Sequence, residues 1–268
     1  MKKLKKQLMA CILTAAMVVC TFATVTPANA ATLTAEQYIT KMGKAMKTAK
    51  SYELKQTSKM TGSIMGQNTD ATETQKQIYF KKPLKLKTVT TSKSSGKTEK
   101  TVTYTKKASN GKYYTYQVLN GKSYSKIEVP DFSSQLLGWD SSCYDSAEIV
   151  KDNVKVNGIN TVQISAQIKG DVLNEAFDKF GMGDLFSSSN IDFSKIKPIK
   201  ATIWIDKKTY RPVKIKEDSK DFINDYIQVL YASFGLSGYS GSYSVFTTTT
   251  TFSKFNKATN FTIPKNFK

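Results

Sequence analysis

The sequence has 268 residues, with 40 Lys and Arg against 21 Asp and Glu, a formal charge of +19, and no histidine. Without an imidazole there is no Ser-His-Asp or Cys-His catalysis, no zinc-binding helix motif and no histidine-ligated metal. Arg211 is the only arginine, so bidentate readout of guanines or phosphates, and with it specific nucleic-acid recognition, is not expected.

The first thirty residues read as a leader. Lys2, Lys3, Lys5 and Lys6 form a basic start, Leu8 to Ala23 is apolar, and Ala28-Asn29-Ala30 is a small-x-small cleavage site with Ala31 as the new N-terminus. A retained anchor is the alternative, although the apolar run is near the short end for spanning a bilayer. Val19 before Cys20, and the early position of Cys11, disfavour lipid anchoring. The reading is therefore export to the cell surface or medium. Cleavage would leave 238 residues at +15, since four lysines and no acids depart. That is enough for one domain spanning 31–268. Cys143 would be its single thiol, read as a small half-buried hydrophobe.

Thr34 and Gln37 form a capping box. Ile39, Met42, Met46 and Ala49 then recur at helical spacing, predicting an amphipathic helix from about Ala35 to Lys50. From Tyr52 the period changes to two. Strands are expected at Tyr52–Met60, Gln75–Lys82, Leu84–Thr91 and Glu99–Lys107. Asn110-Gly111, Asn120-Gly121 and Asn157-Gly158 are strong hairpin signals. They predict a meander continuing through Tyr113–Leu119, Lys122–Val129, Ile149–Val156 and Ile159–Ile168. A helical turn is expected within Asp131 to Gly138, and a helix over Val172–Phe180 with Leu173, Ala176, Phe177 and Phe180 on one side.

The most informative stretch runs from Ile199 to Lys216. Ile199, Ala201, Ile203 and Ile205 alternate with polar residues or Trp204, and Val213 and Ile215 alternate with lysines. Pairing Ile203 with Val213 and Ala201 with Ile215 keeps one apolar face and leaves a loop of Asp206 to Tyr210. Pro212 cannot donate to the ladder and is expected at an edge or bulge. A further helix is expected over Asp221–Phe234 and a threonine-rich strand over Ser244–Phe255, with Phe261 and Ile263 closing the chain. Glu217, Asp218, Asp221 and Asp225 are the densest carboxylate group. Their spacing fits no calcium loop, and acids at a helix start complement its dipole. No nucleophile elbow, P-loop or dinucleotide fingerprint is present. The residues nominate no enzyme and no cofactor.

The order of elements, the segment Tyr79-Phe80-Lys81-Lys82-Pro83 and the Trp204-Ile205-Asp206…Arg211-Pro212-Val213 hairpin resemble the LolA/LppX-type lipoprotein-carrier superfamily, in an exported Gram-positive branch of unassigned function. That resemblance implies an α+β fold: a strongly curved antiparallel half-barrel whose concave face is covered by the N-terminal helix and further helical segments. It implies a non-enzymatic, monomeric protein that holds a lipid or other apolar small molecule between sheet and helices. Ile164, Ile168, Leu173, Phe177, Ile203, Val213 and Ile215 would line the site. Lysine-rich strands contacting an anionic envelope surface, either wall polymers or lipid headgroups, are the alternative role.

Overall fold

A computed structural model describes residues 33–64, 66–119, 121–129, 143–169, 196–233, 235 and 241–264. The leader with Ala30 and Ala31, the expected turn at 131–138, and the helix at 172–180 with Leu173 and Phe177 lie outside the described residues.

The chain opens with α1 (Ala35–Thr48), then β1 (Ser51–Ile64), β2 (Gln67–Phe80), β3 (Lys85–Ser94), β4 (Lys97–Lys107), β5 (Tyr113–Leu119) and β6 (Lys122–Val129). It continues with β7 (Tyr144–Val156), β8 (Ile159–Ile168), β9 (Ile199–Asp206), β10 (Pro212–Asp218), α2 (Lys220–Ser233) and β11 (Gly241–Ser253). All eleven strands form one antiparallel sheet in the order β6-β5-β4-β3-β2-β1-β11-β10-β9-β8-β7. The sheet does not close: β6 and β7 are its two edges. This is the α+β half-barrel architecture expected from the sequence.

The topology corrects one expectation. β6 and β7 are not neighbours in a single meander but sit at opposite edges. Two meanders, β1–β6 and β7–β11, meet where β1 pairs with β11. The seam depends on the run Thr247–Thr251, whose β-branched side chains suit a strand paired on both sides. Opposite Thr61 and Gly62 a bulge leaves Ser244 of β11 out of the ladder and bends β11 there. A side chain at Gly62 would put its Cβ 2.7 Å from the Tyr243 Cα, so the close approach of β11 requires glycine.

Both helices cover the same side of the sheet. In α1 the Thr34 hydroxyl accepts from the Gln37 amide at 3.3 Å, and the Gln37 side chain accepts from the Thr34 amide at 3.0 Å. That reciprocal cap fixes the helix start and aims Tyr38, Ile39, Met42 and Met46 at the sheet. In α2 the buried residues Phe222, Ile223, Tyr226, Ile227 and Leu230 form the apolar stripe. Asn224 ties α2 to β11, accepting from the Tyr243 amide at 2.7 Å and donating to its carbonyl at 3.0 Å. The Asn157-Gly158 turn has both residues at positive φ, +50° and +79°, as a type I′ hairpin demands.

Three local expectations change. Ile203 pairs with Ile215 and Ala201 with Glu217, two residues on from the expected partners: the turn is one residue longer, pairing Ile205 with Pro212, and a bulge at Val213 adds the second. The bulge accommodates the proline and preserves the parity of the apolar face. Residues 254–264 are not a strand. They cross the opposite side of the sheet, where the Phe261 ring meets Phe80 at 6.0 Å and Tyr104 at 6.2 Å. Cys143 is fully buried, at 5% exposure, and not half-buried.

Candidate functional site

Because side chains alternate along a strand, the register assigns each strand residue to the helix-covered inner face or the outer face. Ile164, Ile203 and Ile215 are consecutive partners across β8, β9 and β10. The same row continues through Thr250, Gln56, Gln75, Thr90 and Thr101. The inner face therefore changes character at β11. One half is aliphatic and the other carries hydroxyls and amides.

The aliphatic half contains the residues expected to line a ligand. Ile164 and Ile203 are 0% exposed, and Ile168, Val213 and Ile215 are also buried. Ile164, Ile168, Ile203 and Ile215 pack in one cluster with Ile39 and Met42 of α1 and Phe222, Tyr226 and Leu230 of α2. Five of the seven expected residues are thus placed on or beside one dry surface. Leu173 and Phe177 lie outside the described residues.

On the polar half, hydrogen bonds run both along β2 and from strand to strand. The Gln77 amide donates to Gln75 Oε1 at 3.1 Å, and the Gln75 amide donates to Glu73 Oε1 at 2.7 Å. The Ser92 hydroxyl donates to Glu73 Oε2 at 3.0 Å. Ser58 and Thr248 share a hydrogen bond at 3.0 Å, and Thr105 and Thr115 share one at 2.8 Å. At the end of this half nearest the C-terminus of α1, Tyr52 and Tyr79 pack ring to ring at 4.9 Å with Met46 and Ala49. Burial pushes the Tyr79 hydroxyl up to about 12.

Two polar side chains are buried at the junction, and one of them has an oxygen with no partner among the described residues. Gln56 is 2% exposed and its Oε1 accepts no hydrogen bond. Glu217 is 4% exposed, between Ala201 and Thr248 in its row. Desolvation raises its carboxyl from an ordinary 4.5 to about 8, so it is mostly protonated at neutral pH. Sequence reasoning placed Glu217 with the acids of the helix start. The structure separates it from them, since Asp221 and Asp225 face solvent and pair with Lys200 at 3.3 Å and Lys197 at 3.6 Å. The alternation Val213, Ile215, Glu217 was the available signal. Among the described residues no cluster of acids and cysteines is arranged to hold a metal, and no helix is long and apolar enough to cross a membrane.

No protein-family model and no curated protein matches the chain. Among solved structures it is similar to LprF from Mycobacterium bovis, at 16% identity and a TM-score of 0.45, over 86% of this chain and 96% of that one. A putative outer membrane lipoprotein-sorting protein domain from Vibrio parahaemolyticus gives 12% identity and a TM-score of 0.27, over 85% and 93%. A DUF1329 family protein from Desulfovibrio piger gives 9% and 0.25, over 84% and 93%. These are likenesses of layout.

Proposed function

We propose that this chain is an exported, non-enzymatic protein that binds an amphiphilic, lipid-like molecule on the inner face of its half-barrel. The observation that carries the reading is the change of inner-face chemistry at β11, with Gln56 Oε1 buried there without a partner and the Glu217 carboxyl buried one row away. An apolar chain would reach Ile164, Ile203 and Ile215 by displacing the α1 and α2 side chains packed over them. A hydrogen-bonding head fits against the hydroxyls and amides of β11, β1 and β2. At neutral pH Glu217 can donate through its protonated carboxyl and Gln56 can accept, so a head bearing both a donor and an acceptor, such as a hydroxyl, satisfies both.

Apolar burial drives such binding at about 25 cal/mol per Å² before the costs of ordering. Leaving a buried acceptor unpaired costs about 1–3 kcal/mol, which a ligand able to donate would recover. The test is equilibrium titration of the purified chain with a fatty acid, a lysophospholipid and an alkyl glycoside. One-to-one saturable binding of at least one, weakened by Gln56→Leu, supports the reading. Absence of saturable binding to all three refutes it.

A further inference from the structure

The lysines are scattered along the sequence, but the sheet register gathers them. On β1, β2, β3 and β10 the inner-face positions carry no lysine. Lys55, Lys59, Lys76, Lys93, Lys214 and Lys216 all fall on the outer face. Lys214, Thr251, Lys55 and Lys76 are consecutive partners across β10, β11, β1 and β2. Lys59, Thr72 and Lys93 are consecutive partners across β1, β2 and β3. Among the described residues none of these six lysines has a carboxylate partner, whereas Lys197, Lys200, Lys207 and Lys254 do. Asp218 borders the patch beside Thr247 and accepts the Lys220 amide.

Lys55 directly opposes Lys76, an arrangement that destabilises a strand pair. Between the lysines lie Thr57, Thr74, Thr247 and Thr249, whose hydroxyls can donate to an anion. Strand geometry puts Lys55 and Lys59 about 13 Å apart along β1, and Lys55 and Lys214 about 10 Å apart across two strand spacings. This is an extended grid of unpaired cations and not a single-anion pocket.

We propose that the outer face of β1–β3 with β10–β11 docks a flexible, linear polyanion with a phosphodiester in each repeat. Such a chain can follow a twisted sheet, whereas a flat bilayer would touch it only locally. Threonines separate the lysines, and Val245 of β11 is the well-exposed large apolar side chain among the described residues of this face, less than the apolar stripe that anchors an interfacial segment in a bilayer. Nucleic acid is disfavoured because Trp204, the aromatic ring beside the grid, is covered by Lys214 at 4.8 Å and offers no stacking platform.

The experiment measures binding of labelled poly(glycerol phosphate), a phosphodiester-linked chain, to the whole protein between about 50 and about 200 mM salt, where counterion release is large. Three proteins are compared: wild type, Lys55→Gln/Lys59→Gln/Lys76→Gln, and a control of equal charge, Lys151→Gln/Lys155→Gln/Lys208→Gln. Each lost phosphate contact flattens the log–log salt slope by about 0.7, so the patch variant's slope should be shallower by about 2. Over that salt range wild type then loses roughly sixteen-fold more affinity than the patch variant, while the control keeps the wild-type slope. Lys55→Glu, which sets opposite charges across β1 and β2, is the second variant if the triple does not fold, and it too must weaken binding. Equal losses in patch and control variants, unchanged binding in the patch variant, or binding only to phosphatidylglycerol vesicles would each overturn the proposal.

Discussion

Replacing Glu217 with Gln keeps the shape of a buried side chain and removes its titration. In the folded chain burial holds the carboxyl proton to about pH 8, whereas in the unfolded chain it leaves near the ordinary 4.5. Below about pH 4.5 both states are protonated and the contribution of the neutral group is fully present. As pH rises the unfolded chain loses its proton first, so stability falls by about 1.4 kcal/mol per pH unit until the folded carboxyl ionises near pH 8. The accumulated loss is about 3 kcal/mol at pH 7 and about 5 kcal/mol at the top of the window. The sequence contains no histidine, so no imidazole titrates in this interval. The carboxyls of Glu53, Asp152 and Asp221 are all held below their usual values and titrate beneath it. Urea unfolding of wild type and Glu217→Gln, from about pH 5 to about pH 8.5, isolates the effect. The two proteins should be similar near pH 5, with the variant the more stable by several kcal/mol near pH 8. Parallel stability curves would refute the reasoning.

Four further substitutions probe other parts of the account. Gln56→Leu removes a buried acceptor that has no donor and should raise stability by about 1–3 kcal/mol in denaturant while weakening amphiphile binding in titrations. Ile203→Ala opens a cavity at a fully buried position and should cost about 2–5 kcal/mol, read as a lower denaturation midpoint. Gly62→Ala forces a Cβ against the Tyr243 backbone and should cost about 1–3 kcal/mol by the same assay. Thr34→Ala deletes one half of the capping box and should cost about 1 kcal/mol, read by thermal unfolding.

Much of the architecture was legible because it is periodic. The helical stripe of Ile39, Met42 and Met46, the Asn-Gly turns and the alternation of Ile199, Ala201, Ile203 and Ile205 each report a local rule that the sheet obeys. Strand order was not legible in the same way. The pairing of β1 with β11 joins residues about two hundred apart in sequence, and no local signal indicates that β6 and β7 become opposite edges. Register beyond Pro212 slipped by two, one residue from the longer turn that pairs Ile205 with Pro212 and one from the bulge at Val213, so face parity was kept. At the site, parity alone would have put Glu217 inside, but its acidic neighbours suggested solvent. The surface lysines show the converse: dispersed in sequence, they converge only once the register stacks Lys214, Lys55 and Lys76 across the sheet.

The most direct test of the central claim is native mass spectrometry of the purified chain, followed by organic extraction of whatever it carries. The account predicts a stoichiometric added mass that is released by the solvent and identified as an amphiphile. A bare-chain mass, still bare after incubation with membrane lipids, would contradict it.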